Sequence, residues 1–120
     1  MSSHPIVHIE LSTSNHKQSA DFYSKIFGWE TQHDEQMNYT MWGTGEGQLG
    51  GGFNQVTEEM PAGTVIVYIG ADDIDASLAK IEAHGGTKVM PKTEIPGFGW
   101  FALFNDPSGN MVGLYTAMEQ

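Results

Sequence analysis

The chain predicts an α+β fold of two similar βαβββ modules, their mixed sheets curving around a shared cleft. Three observations predict it. The order strand, helix, three strands can be read twice along the 120 residues. Lys25-Ile26 and Lys80-Ile81 occupy matching helical places, at a repeat of roughly 55 to 60 residues. Each half alone is too small to bury one face of a sheet. Side by side, the halves can do so while their helices cover the outer faces.

The first strand runs from Ile6 to Ser12, where side chains alternate in character. Asn15 is placed to cap a helix in which Ala20, Tyr23, Ile26 and Phe27 recur at helical spacing, and Gly28 stops it. Three short strands follow, around Glu30 to His33, Asn38 to Trp42 and Gln48 to Phe53. Turn-forming residues separate them: Asp34-Glu35, then Gly43-Thr44-Gly45-Glu46-Gly47. Thr57 to Gly63 is polar, contains proline and glycine, and reads as a linker. Module one is therefore about residues 5–56 and module two about 63–118, in a single domain.

The second half restarts with the β-branched run Thr64 to Ile69. Asp72 or Asp73 caps a helix with Ile74, Leu78 and Ile81 on one face, and Gly85-Gly86 ends it. Strands around Lys88 to Lys92, Trp100 to Phe104 and Met111 to Tyr115 complete the module. Between the last two lies Asp106-Pro107-Ser108-Gly109-Asn110, where Pro107 fixes φ and Gly109 or Asn110 can take a positive φ to close a hairpin.

Composition removes whole classes of function. There is no cysteine, so disulfides, zinc–thiolate sites and cysteine nucleophiles are excluded. Neither leader features at the N-terminus nor an apolar run long enough to span a bilayer is visible, so a cytoplasmic protein with no membrane partner is expected. The formal charge is −10 at pH 7, and all five basic residues are lysine. Nucleic acid needs clustered cations and is not an expected partner. The absence of arginine also removes planar, bidentate recognition of carboxylates.

Two strings carry a family resemblance. His8-Ile9-Glu10-Leu11 with Ser19-Ala20-Asp21-Phe22-Tyr23-Ser24-Lys25-Ile26-Phe27-Gly28-Trp29 resembles the first module of the vicinal oxygen chelate superfamily. That superfamily includes glyoxalase I, extradiol dioxygenases and bleomycin-resistance proteins. Gly97-Phe98-Gly99-Trp100-Phe101-Ala102-Leu103-Phe104 followed by Asp106 to Asn110 is similar to its closing hairpin. The resemblance covers nearly the whole chain and implies the glyoxalase/bleomycin resistance/extradiol dioxygenase fold, commonly as a homodimer.

It also implies where a divalent metal is held in the metal-dependent members, by one ligand on the first and last strand of each module. His8 stands at the first such place. The second falls within Leu49 to Phe53, the third near Val65 or Ile66, and the last at Gly113. None of those three offers a donor side chain, so no metal and no cofactor are expected. Missing ligands and missing arginine together argue against glyoxalase I. An extradiol dioxygenase would need two histidines and a carboxylate.

His8 and Glu10 share one strand face, opposite Val7, Ile9 and Leu11. They read either as a hydrogen-bonded pair lining a cavity or as a catalytic acid–base pair. His4, His16, His33 and His84 read as surface or terminal residues. Gly50-Gly51-Gly52 is no phosphate loop; mid-strand glycines signal a bend, or room for a ligand. Trp42, Phe53, Trp100, Met111 and Tyr115 are the candidate ligand-binding residues, their rings suited to a flat apolar molecule.

Two functions follow from these residues. One is a metal-independent, glyoxalase-like protein that binds a small, partly apolar molecule between its modules. The other is a lyase or isomerase using His8 and Glu10 as acid and base, or as part of an incomplete metal site. A third and plainer role, interaction with a partner through a dimer surface, has no residue that isolates it.

Overall fold

The computed structural model describes residues 3–118; Met1 and Ser2, part of the N-terminal reading above, lie outside them. The chain divides into two units. The first spans His8–Ile66, and the second takes in the chain from Val67 onward with its start up to Val7. The division falls later than the expected linker because the linker is tied to the first strand. Ser12 N–H donates to the Thr64 carbonyl at 3.2 Å, and Gly63 N–H donates to Ser12 Oγ at 3.0 Å.

The first unit carries most of β1 (Ile6–Thr13), with α1 (His16–Phe27), β2 (Glu30–Asp34), β3 (Tyr39–Gly43) and β4 (Gly50–Gln55). Its strands lie in the order β2-β3-β4-β1. The β2–β3 and β3–β4 pairs are antiparallel, and β1 pairs with β4 in parallel. Asn15 Oδ1 accepts from Gln18 N–H at 3.0 Å, which satisfies one of the free donors at the start of α1. Gly28 closes the helix in the left-handed region at φ 72°, its N–H returning to the Ser24 carbonyl.

A stack of rings binds α1 to the sheet. Tyr23 lies over Trp29 at 4.7 Å, Trp29 over Trp42 at 4.3 Å, and Tyr23 meets Phe53 at 5.6 Å. These aromatic contacts, rather than an aliphatic helix face, form the core here. Ile26 and Phe27, expected on the inner stripe, are instead 58% and 62% exposed.

The second unit carries most of β5 (Val65–Gly70), with α2 (Ile74–Ala83), β6 (Thr87–Ile95), β7 (Gly99–Asn105) and β8 (Met111–Ala117). Its order is β5-β8-β7-β6, with β5 and β8 parallel and the other pairs antiparallel. Asp73, not Asp72, is the cap of α2, accepting from Ala76 N–H at 3.0 Å. Ile74 and Leu78 of α2 pack with Ala71, Ala102, Phe104 and Leu114, and Trp100 lies against that cluster. Each unit is thus a mixed four-stranded sheet with one helix, and the chain is α+β. Among the described residues no helix is long and apolar enough to cross a membrane.

The hairpin after β7 closes through Gly109, at φ 91°, while Asn110 keeps an ordinary negative φ. Asp106 organises the turn. Its carboxylate accepts from the Ser108 and Asn110 N–H groups and from the Asn110 side-chain amide, all at 2.9 Å. The Asn110 side-chain amide, then its backbone N–H, hold the Asp106 carboxyl below the usual carboxylate value.

The core of the second unit makes one quantitative expectation. Ile74 is 1% exposed, so Ile74→Ala removes buried methylenes and leaves a cavity, at a cost of about 2–5 kcal/mol. Urea unfolding followed by far-ultraviolet circular dichroism should show a lower midpoint at unchanged slope.

Candidate functional site

Strand register sorts every candidate residue onto one of two faces. In the first unit Ile9 is opposite Gly51 and Leu11 is opposite Phe53, on the face covered by α1. His8, Glu10 and Ser12 therefore point to the other, open face, as alternation requires. Gly52 of β4, with Tyr39 and Met41 of β3, belongs to that face too, because Met41 pairs with Gly52.

On this open face three side chains are joined by hydrogen bonds. The Tyr39 hydroxyl donates to Glu10 Oε2 at 2.9 Å and lies 2.7 Å from His8 Nε2. The His8 and Tyr39 rings are within 19° of parallel, with centroids 6.3 Å apart. Asn38, just before Tyr39, takes a positive φ of 49°, which the short polar side chain of asparagine tolerates. Burial holds the His8 imidazole below its usual pKa of 6.5.

Gly52 makes the arrangement possible. A Cβ built there would run into the hydroxyl and ring of Tyr39. Gly51 is equally constrained, since its Cβ would strike the Ile9 carbonyl and the Trp42 indole. The glycine run thus neither bends the sheet freely nor opens a ligand cavity. It marks a place where neighbouring chains and rings fill the side-chain space.

The second unit repeats the pattern with different chemistry. Tyr68 is opposite Gly113 as Glu10 is opposite Gly52, and a Cβ on Gly113 would run into the Tyr68 ring. Leu103 pairs with Gly113 as Met41 pairs with Gly52, so Phe101 corresponds to Tyr39. By the same register Ile66 corresponds to His8. The hydrogen-bonded trio of the first unit thus has isoleucine, tyrosine and phenylalanine as its counterparts.

The five expected ligand-binding residues separate by face. Trp42 and Phe53 are 6% and 1% exposed and belong to the aromatic core under α1. Trp100 packs on the α2 cluster, with the Lys92 ammonium 5.3 Å from its ring centroid. These three are core residues, because β3, β4 and β7 turn them toward the helices. Met111 and Tyr115 share the open face of β8 with Gly113 and remain available to a ligand. The Tyr115 hydroxyl donates to the Phe98 carbonyl at 3.1 Å, and burial raises its pKa.

Sequence reasoning missed two groups. Tyr39 gave no signal of its own, since only the register places its hydroxyl over Gly52. His16 and His33, read as surface residues, meet at the buried Thr40. Their Nδ1 atoms lie 2.9 and 2.7 Å from Thr40 Oγ1, with ring centroids 5.0 Å apart. Burial lowers the His16 pKa, His33 lowers it further, and a hydrogen bond to the Gln55 side chain opposes both.

The residues present do not suit the divalent-metal site that the resemblance implies. Gly52 and Gly113 supply no donor, and tyrosine side chains occupy the space that donors there would need. Among the described residues no group of three or more histidine or carboxylate side chains converges on one point.

The profile of the Glyoxalase/Bleomycin resistance protein/Dioxygenase superfamily matches residues 5–114. The chain is 28% identical over 116 residues to a candidate glyoxylase, CFP32, from Mycobacterium tuberculosis, covering 91% of this chain and 44% of the relative. It is 30% identical over 120 residues to the anthracycline biosynthesis protein DnrV of Streptomyces peucetius, covering 83% and 42%. The chain thus spans less than half the length of these curated relatives. Among solved structures, the hypothetical protein BH1468 of Bacillus halodurans superposes with a TM-score of 0.76 at 14% identity, over 99% of this chain and 98% of the other. That likeness is one of fold alone.

Two expectations follow from the geometry. His8 and His16 both have lowered folded-state pKa values, so below 6.5 the unfolded chain binds more protons than the folded one. Their contribution to stability is complete above pH 6.5 and is lost as pH falls toward the folded values. Unfolding midpoints measured across that window should decline with acid, and His8→Asn should flatten the decline. Separately, Gly52→Ala should cost about 1–3 kcal/mol by overpacking. In a double-mutant cycle Tyr39→Ala should recover part of that loss, whereas Tyr39→Phe, which keeps the ring, should recover little.

Proposed function

Since the chain belongs to the Glyoxalase/Bleomycin resistance protein/Dioxygenase superfamily, we propose that it is a member that works without a bound metal and takes up a small, partly apolar molecule. The observation that carries this reading is the filling of the Gly52 and Gly113 side-chain spaces by Tyr39 and Tyr68. A metal would be left with His8 and Glu10, and two donors do not hold a divalent ion tightly. The face of the second unit's sheet away from α2, on which Phe101, Met111 and Tyr115 are half-buried, supports an apolar ligand. DnrV, named for anthracycline biosynthesis, supports a flat aromatic one.

A second reading has its own observation. The Tyr39 bridge between His8 and Glu10 favours acid–base chemistry of the lyase or isomerase kind, with the imidazole accepting a proton and the carboxylate stabilising the resulting charge. The homodimer implied by the family resemblance is part of the proposal as well. It is supported by Phe22, Ile26 and Phe27, which α1 leaves exposed.

Elemental analysis of the purified chain tests the leading reading. Expected is no stoichiometric nickel, zinc, iron or manganese, and no change in Tm on adding EDTA or those metals singly. One tightly held ion per chain, lost in His8→Ala, would overturn it.

A further inference from the structure

Thr40 is 2% exposed, and imidazoles from two different elements share its hydroxyl. Nδ1 of His16, the first residue of α1, lies 2.9 Å from Thr40 Oγ1, and Nδ1 of His33, on β2, lies 2.7 Å from it. A hydroxyl has one proton to give and two lone pairs that accept. With both rings neutral, it donates to one Nδ1 and accepts from the other. With one ring charged, the Nδ1–H of that ring donates to Oγ1 while the hydroxyl still donates to the neutral ring. A second proton ends this. Both Nδ1 atoms then carry hydrogen, the buried hydroxyl has no ring nitrogen left to donate to, and two positive rings stand with centroids 5.0 Å apart.

Nothing on this side of the sheet offsets the second charge. Strand register leaves β1, β3 and β4 without a titratable side chain on the side covered by α1, and gives β2 only His33. Glu10, Glu30, Asp34 and Tyr39 belong to the opposite side, and Glu35 lies in the turn beyond β2. On α1 the titratable groups besides His16 are Lys17, Asp21, Tyr23 and Lys25, with Lys17 paired to Asp21 at 3.0 Å. Among the described residues neither imidazole forms an ion pair. His16 also stands at the N-terminus of α1, where the helix dipole disfavours a cation. Burial and then His33 hold its pKa below 6.5, against the opposing hydrogen bond to the Gln55 side chain. His16 therefore takes up its proton only as pH falls below that value.

We propose that His16, Thr40 and His33 form an acid-released latch that ties the first turn of α1 to the β2–β3 hairpin and opens when both imidazoles are charged. One proton leaves the latch closed, because Thr40 can still serve both rings; the second opens it.

The latch is independent of the binding reading, and its test needs neither metal nor ligand, so the two can fail separately. Amide hydrogen exchange of the whole chain, corrected for the intrinsic effect of pH, is compared at about pH 7.5 and about pH 5. The probes are the Gln18 and Ser19 N–H groups, bonded at 3.0 Å to the Asn15 side chain and carbonyl. The controls are the Gly28 N–H, bonded to the Ser24 carbonyl at the far end of α1, and the Ser77 N–H, bonded to the Asp73 carbonyl at the start of α2. Expected in acid is a loss of protection of at least about tenfold at Gln18 and Ser19, with little change at the controls. In His33→Gln, whose amide can keep the Thr40 hydrogen bond without a charge, protection should survive the acid. His16→Gln provides an independent arm with the same expectation, should His33→Gln fold poorly. Protection unchanged by acid in the unaltered chain, a loss that takes in Gly28 equally, or a loss that persists in a folded variant would overturn the latch.

Discussion

The Tyr39 hydroxyl occupies space that any other residue at position 52 would take for its own side chain. From that absence of one carbon follow the bridge to His8 and the contact with the Glu10 carboxylate. A glycine in mid-strand weakens a sheet by leaving nothing to pack. Here the loss is offset, because the neighbouring strand contributes the missing packing in the form of a ring. Gly113 and Tyr68 repeat the exchange in the second unit. The same physical exchange, tyrosine over glycine, thus occurs twice in the chain.

The two units differ in what surrounds these tyrosines. In the first, histidine and glutamate turn the open face polar, and the Tyr39 hydroxyl joins them by hydrogen bonds. In the second, the corresponding places carry isoleucine, tyrosine and phenylalanine. A repeated fold has therefore been divided into one polar face and one apolar face. Behind them the helices cover cores of unlike kinds, stacked aromatic rings under α1 and aliphatic side chains with Phe104 under α2.

Polar groups away from the open face tie the first unit together. Thr40 receives His16 from the start of α1 and His33 from β2, so one buried hydroxyl links a helix terminus to two strands. Nearby, Thr13 Oγ1 lies 2.6 Å from Ser19 Oγ and accepts from the Asn15 N–H. These contacts compensate for a helix that buries no whole side chain. They also explain why His16, which looks like a surface residue in the sequence, has its pKa lowered.

The sequence by itself determined the α+β class, the order of the elements, the caps at Asn15 and Gly28, the closing hairpin and the absence of metal donors at Gly113 and near Gly52. These are local or compositional properties: periodicity, the φ freedom of glycine, and side chains that either carry a donor atom or do not. His8 and Glu10 on a common face were legible for the same reason, since alternation along one strand needs no partner. Tertiary structure alone decided that Trp42, Phe53 and Trp100 turn toward the helices and that Tyr39 joins His8 to Glu10. Those outcomes depend on the register between strands distant in sequence, and a shift of one residue would exchange the two faces.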